Sequence, residues 1–212
     1  MPRALVLKAI FSRLVMIVFI FVSVKQKTIT FGKRILVKLK QHYSFDVRAL
    51  ALMRIGICII LFIDLAIRAL SIKAFFTDEG ILPLEILKNY NWNPYYFSFH
   101  TISGDLWFQA LLFIMNAVSI ILLLVGYRAR LFTFICWVFL VSLHNRNPFI
   151  LQGGDELLRI LLFWAIFLPW GERYSLQKTS YYKNTYFSFA NVGYLLLVAS
   201  VYFFFGFIKK LF

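Results

Sequence analysis

Acidic residues are scarce in this chain: 9 Asp and Glu stand against 23 Lys and Arg, and charged residues of both signs make up only 15% of the 212 positions. Together with 61% hydrophobic and 19% aromatic residues, that scarcity excludes an ordinary water-soluble domain, which could not hide so much apolar surface. Cysteine is nearly missing too. Cys58 and Cys136 each fall midway along an apolar run, provide no disulfide framework, and read as small core or lipid-facing side chains. The three histidines, His42, His100 and His144, lie far apart and form no helical metal-binding pair, so no metal is expected. No internal repeat or low-complexity tract stands out. The net charge of +14 raises nucleic acid as a partner, but the basic residues form neither a reading helix nor an aromatic-interleaved motif, so no nucleic-acid binding is expected. They cluster instead between apolar segments, where the positive-inside rule puts them in a polytopic membrane protein.

The apolar segments set the expected topology. Leu14–Val24 follows a basic start, as in a signal peptide, but Lys25-Gln26-Lys27 offers no small-residue cleavage site, so an uncleaved anchor or interfacial helix is expected. Lys25, Lys27, Lys33, Arg34, Lys38, Lys40 and Arg48 make a cytoplasmic connector with the single acid Asp46. Val47–Leu70 is a span running outward. Ile72–Asp105 is an external connector with turn signals at Asp78-Glu79-Gly80 and Pro83 and with interfacial aromatics. Leu106–Val125 returns to the basic turn Gly126-Tyr127-Arg128-Ala129-Arg130. The runs Leu131–Leu143 and Leu157–Pro169 form an out-and-back hairpin, and Phe187–Ile208 runs outward to Lys209-Lys210. The expected fold is all-α: five transmembrane helices, with the N-terminal segment as a candidate sixth. Residues 1–43 form the anchor and connector, and residues 44–212 the membrane domain.

The hairpin carries the candidate site. Each of its runs covers only about 20 Å of a hydrocarbon core about 30 Å thick. The polar stretch between them, His144-Asn145-Arg146-Asn147-Pro148 through Gly153-Gly154-Asp155, therefore dips below the outer surface, where polar backbone survives only inside protein or beside water. Asn147 before Pro148 is biased to extended backbone and should end the first helix. Asp155 is a good N-cap for the second. Two acid–arginine pairs, Asp64/Arg68 and Asp155/Arg159, stand at i,i+4 near the same level. Ionisable residues in a membrane helix point to a functional interior, although each pair also reads as a self-neutralising bridge and Arg68 as a snorkelling side chain. Arg54 has no acid at helical spacing on its own helix and needs a partner elsewhere. Lys209 and Lys210 read either as snorkelling residues closing an apolar helix or as a lysine base lowered by its cationic neighbour.

In order along residues 44–212, several segments resemble the horizontally transferred transmembrane (HTTM) family, which includes the membrane domain of vitamin K-dependent gamma-glutamyl carboxylase. They are Leu50-Ala51-Leu52-Met53-Arg54-Ile55-Gly56, Phe76-Thr77-Asp78-Glu79-Gly80-Ile81-Leu82-Pro83, Gly126-Tyr127-Arg128, Ser142–Pro148, Gly153-Gly154-Asp155, Leu168–Leu176 and Val201–Lys209. The bacterial members are the more similar, which implies a bacterial plasma membrane. The resemblance implies Lys209, with Lys210 as the alternative, as a base toward a reduced quinone. A histidine used by the animal enzyme matches nearest to Asn147, so its role does not pass to His144. Family members continue with a further helix, so the resemblance implies a domain incomplete at its C-terminus, without glutamate carboxylation by this chain alone. The expected function is an outward-facing polar pocket for a lipophilic, quinone-like small molecule in the lipid bilayer. His144, Asn145, Arg146, Asn147, Asp155, Arg159, Asp64 and Arg68 would bind or orient it. The alternative is a non-catalytic module or fragment whose polar cluster holds helices together or docks a partner.

Overall fold

The computed structural model describes residues 37–90, 93, 95–176 and 184–211, without the side chains of 90, 205 and 207–211. The expected N-terminal anchor lies outside the described residues. The chain divides into two compact units, Met1–Ser44 and Phe45–Phe212. In the first, residues 37–43 are helical.

The second unit is all-α apart from one two-residue antiparallel pair, β1 (Phe45–Asp46) with β2 (Thr185–Tyr186), in which Phe45 faces Tyr186. Helix α1 (Val47–Leu70) starts where the Asp46 carboxylate accepts the Arg48 amide at 2.8 Å, satisfying one of the free donors at a helix start. The connector after α1 folds into two short helices, α2 (Ile72–Phe76) and α3 (Leu84–Tyr90), and a 3₁₀ turn at Phe99–Thr101. Then follow α4 (Leu106–Leu124), α5 (Ala129–Arg146), a second 3₁₀ turn at Pro148–Ile150, α6 (Gly153–Ala165) and α7 (Phe189–Leu211). α1 packs on α4, α4 on α5, α5 on α6, and α6 on α7.

Helix α5 is longer than the apolar run that announces it. His144, Asn145 and Arg146 form its last turn, and it ends at Asn147, whose extended backbone (φ −140°, ψ 90°) is what a following proline imposes. Gly153 and Gly154 open α6 rather than making a separate sharp turn.

Leu50, Ile57, Leu61 and Leu65 of α1 meet Phe113, Ile120 and Leu123 of α4, Leu140 and Leu143 of α5, and Leu158 and Leu162 of α6 in one apolar core. The polarity around that core is inverted relative to a soluble bundle. Arg54, Gln109, Thr133, Ser142, His144 and Arg146 are buried, whereas Leu52, Ile59, Ile63 and Ile67 of α1 and Leu111, Ile114 and Val118 of α4 are exposed. Water would penalise such a surface and lipid would not. Among the described residues two helices, Val47–Leu70 and Leu106–Leu124, are long and apolar enough to cross a membrane, and Phe189–Phe204 is a shorter apolar stretch.

Candidate functional site

At the C-terminal end of α1, Arg68 is the centre of an ion cluster. Its Nε donates to both carboxylate oxygens of Asp64, 2.9 Å each, one helical turn earlier. Its Nη2 donates across to Asp155 Oδ1 on α6 at 2.8 Å. The expected Asp64/Arg68 pair is thus one half of a bridge between α1 and α6. The expected Asp155/Arg159 pair is replaced: Arg159 bonds Glu156 at the surface, and Asp155 faces inward to Arg68. Asp155 also differs from its expected place as N-cap. Gln152 is the cap, and Asp155, three residues on, reaches back so that its Oδ2 accepts the Gln152 amide at 2.8 Å. One carboxylate therefore starts α6 and ties it to α1.

His144 is fully buried beside this cluster. Its Nε2 lies 4.0 Å from Asp155 Oδ1, beyond hydrogen-bond reach, and neither ring nitrogen has a hydrogen-bond partner. The cluster borders a cavity of about 350 Å³, walled by Asp64, Arg68, Asp155, Ser71, Phe75 and Gln152. A second cavity of about 680 Å³, mostly apolar, lies between the start of α6 and the C-terminal half of α7. Gly153, Gly154, Leu157, Val201 and Phe204 line it, and it shares Gln152 with the first.

The next three residues of the hairpin point elsewhere. Asn145 Nδ2 donates to Phe97 O (2.8 Å), Arg146 Nη1 to Leu82 O (2.9 Å), and Asn147 Nδ2 to Phe75 O (3.1 Å). They pin three separate stretches of the outer connector to the end of α5. Arg146 is also 3.8 Å from Asp78 Oδ1. Of the expected site residues the structure therefore brings Asp64, Arg68 and Asp155 together in the cavity wall, sets His144 buried behind Asp155 without lining the cavity, and sets Asn145, Arg146, Asn147 and Arg159 outside the wall.

Sequence reasoning passed over two features here. Gln109 and His100 form a buried pair, Gln109 Oε1 to His100 Nδ1 at 2.6 Å, and Gln109 Nε2 donates to His100 O and Ser103 O. Burial, more than Arg146's charge, pushes His100 down to about 4 against the Gln109 bond. A glutamine within an apolar span was the available signal. Asp78, read as a turn residue, accepts the Leu84 amide and packs so closely on Gly104 that a Cβ there would overlap its carboxyl carbon at 2.0 Å.

Arg54, toward the N-terminal end of α1, finds the partner it needs in backbone carbonyls, Trp170 O (3.3 Å) and Tyr174 O. Gly126 presses against it: a Cβ would stand 2.4 Å from Arg54 Nη1, and its φ of +77° favours glycine.

Lys209 and Lys210 fall in the last turn of α7, but their side chains lie outside the description. Among the described residues no group of three or more His, Cys, Asp or Glu is placed to hold a metal ion. Comparison with family models, with curated proteins and with solved structures finds no match.

Proposed function

We propose that this chain is an integral membrane protein of the HTTM type that holds a lipophilic small molecule, quinone-like by resemblance, in an outward-facing pocket between α1 and α6. α1, α4, α5, α6 and α7 would be the five spans, in a bacterial plasma membrane. The observation that carries the reading is the Asp64–Arg68–Asp155 bridge beside an open cavity in a protein whose surface is apolar and whose interior is polar. Ionised groups are retained in such surroundings when they face one another or a ligand path. At 13 residues α6 rises about 20 Å, short of a bilayer core, so the hairpin before it dips inward and opens the pocket to the outside. Lys209, five residues beyond Phe204 and so about 7.5 Å further along α7, is the proposed base.

The bonds from Asn145, Arg146 and Asn147 to connector carbonyls favour the second reading for those three residues: they hold the fold together.

Photolabelling of the protein in nanodiscs with an azido-naphthoquinone tests the reading. Label is expected on α1 and α6 near Arg68 and Asp155, competed by unmodified quinone and lost in Arg68→Met. Label spread over the lipid-facing surfaces, or unchanged in Arg68→Met, would sink the pocket assignment.

A further inference from the structure

The fold buries His144 completely and gives neither of its ring nitrogens a hydrogen-bond partner. A neutral imidazole carries one N–H donor and one bare lone pair, so both are desolvated without return. Two such orphans on one side chain are rare in a packed interior and call for a role outside packing.

The position of the ring supplies that role. Its Nε2 lies 4.0 Å from Asp155 Oδ1, the same oxygen that accepts Arg68 Nη2 at 2.8 Å. The ring and the guanidinium thus compete for a single acceptor. The charges that act on the ring are Arg68 on α1 and Asp155 and Arg159 on α6, and Arg159 is engaged by Glu156. α4, which packs on α5, has no titratable side chain, and His100 in the 3₁₀ turn against α5 is bonded to Gln109.

Two carboxylates, Asp64 and Asp155, share one guanidinium, so the cluster has one negative charge in excess while His144 is neutral. A proton on His144 removes that excess. The imidazolium, a donor at both nitrogens, then has Asp155 Oδ1 within a short ring movement. Arg68 is not stranded by the exchange, because its Nε stays with Asp64 one turn earlier. Asp155 Oδ2 likewise keeps the Gln152 amide, and α6 keeps its start. What is lost is the bond between α1 and α6, two helices that are not among the pairs packed extensively together.

We propose that His144 is a proton-operated latch on the α1–α6 corner. Protonated from the cavity side through Asp155, its ring moves onto Asp155 Oδ1. Arg68 Nη2 is released toward the cavity of about 350 Å³, and the start of α6 parts from α1. The released N–H donates to a carbonyl oxygen of the ligand, a step that rests on the quinone-like pocket proposed above. Loss of the proton restores the Arg68 bond. Ligand and proton therefore favour each other's binding.

Pulsed electron paramagnetic resonance on the full chain in nanodiscs tests the latch without a ligand. Spin labels go on Leu70→Cys of α1 and Ile160→Cys of α6, both exposed positions, in a Cys58→Ala/Cys136→Ala background. Acidification from about pH 7.5 to about pH 4.5, within the range where helical circular dichroism is unchanged, should lengthen the distance by about 2 Å. The change should vanish in His144→Phe and in His144→Gln, neither of which titrates there. Asp155→Asn should hold the longer distance at both ends of the range. Azido-naphthoquinone label on α1 and α6 should rise by about threefold over the same interval in the unaltered chain and stay level in His144→Phe. A distance indifferent to pH, or a change that persists in both His144 variants, would overturn the latch and leave the pocket standing. A latch that moves as expected, with no competable quinone label at either pH, would overturn the pocket instead.

Discussion

Two arginines on α1, fourteen residues and so about 21 Å apart along the axis, one buried and one partly buried, are used in opposite ways. At the N-terminal end Arg54 is taken up by two carbonyls of the segment after Pro169 and is pressed by Gly126; among the described residues no acid bonds it, and it does not line the cavity of about 340 Å³ that Gly126, Pro169 and Glu172 border. At the C-terminal end Arg68 is shared by acids on two helices and forms part of a cavity wall. Carbonyl partners are fixed by the fold and cannot be exchanged without unwinding it. Carboxylate partners at a cavity can trade a guanidinium for a ligand. The first arginine is a clasp, and the second borders the pocket proposed as a site.

The sharpest way to break that contrast is to crowd the clasp. Gly126→Ala adds a methyl where Arg54 Nη1 and Ser175 Cβ each lie 2.4 Å away, at a backbone angle alanine rarely adopts. A loss of about 3 kcal/mol is expected from overpacking and backbone strain together, read as a lowered melting temperature in detergent. Adding Arg54→Met to Gly126→Ala should recover part of that loss, because the two positions share the clash.

Acid should separate the two ends. His100, at the outer end, is held down to about 4 by burial, while the unfolded chain titrates near 6.5. Between those values the unfolded state binds a proton that the folded state refuses, so stability falls as pH drops from about 6.5 toward 4. About 2 kcal/mol should be gone by pH 5. Glu172, near the inner end, has its carboxyl raised by partial burial, so its protonation offsets rather than deepens an acid loss. His100→Gln should lessen, without abolishing, the melting curve's pH dependence over that window, because buried His144 remains.

Within the outer cluster the acids are unequal. Asp155→Asn removes the charged link to α1 and weakens the reach-back bond at the start of α6, for about 2 kcal/mol. Asp64→Asn leaves Arg68 its other acid and should lose about half as much. Equal melting shifts would reduce the bridge to a surface pair. The smallest effect belongs to Arg159→Ala. Its partner Glu156 is exposed, so less than about 0.5 kcal/mol is expected in the same melts.

The helical order was legible because apolar runs of membrane length leave few alternatives, and the break at Asn147-Pro148 because a proline constrains the residue before it. The site was half legible. Asp64 and Arg68 lie on one helix, so spacing finds them. The partner of Asp155 could not be read the same way. Spacing offers Arg159, but Asp155 turns inward at the helix start and meets an arginine 87 positions earlier, a contact only the tertiary fold creates. Arg54 shows the same limit: its sequence says that a partner is needed, and its partners are backbone carbonyls that carry no residue-type signal.

The most direct test of the contrast between clasp and site is sidedness. Gln152, which borders both the Arg68 cavity and the α6–α7 cavity, and Arg130, in the first turn of α5, are both exposed. Single cysteines at each, in a Cys58→Ala/Cys136→Ala background, can be challenged with a membrane-impermeant thiol reagent on intact cells and after lysis. The expected result is that Gln152→Cys labels on intact cells and Arg130→Cys only after lysis. Labelling of Arg130→Cys on intact cells, with Gln152→Cys silent until lysis, would invert the topology and contradict an outward-facing site at Arg68.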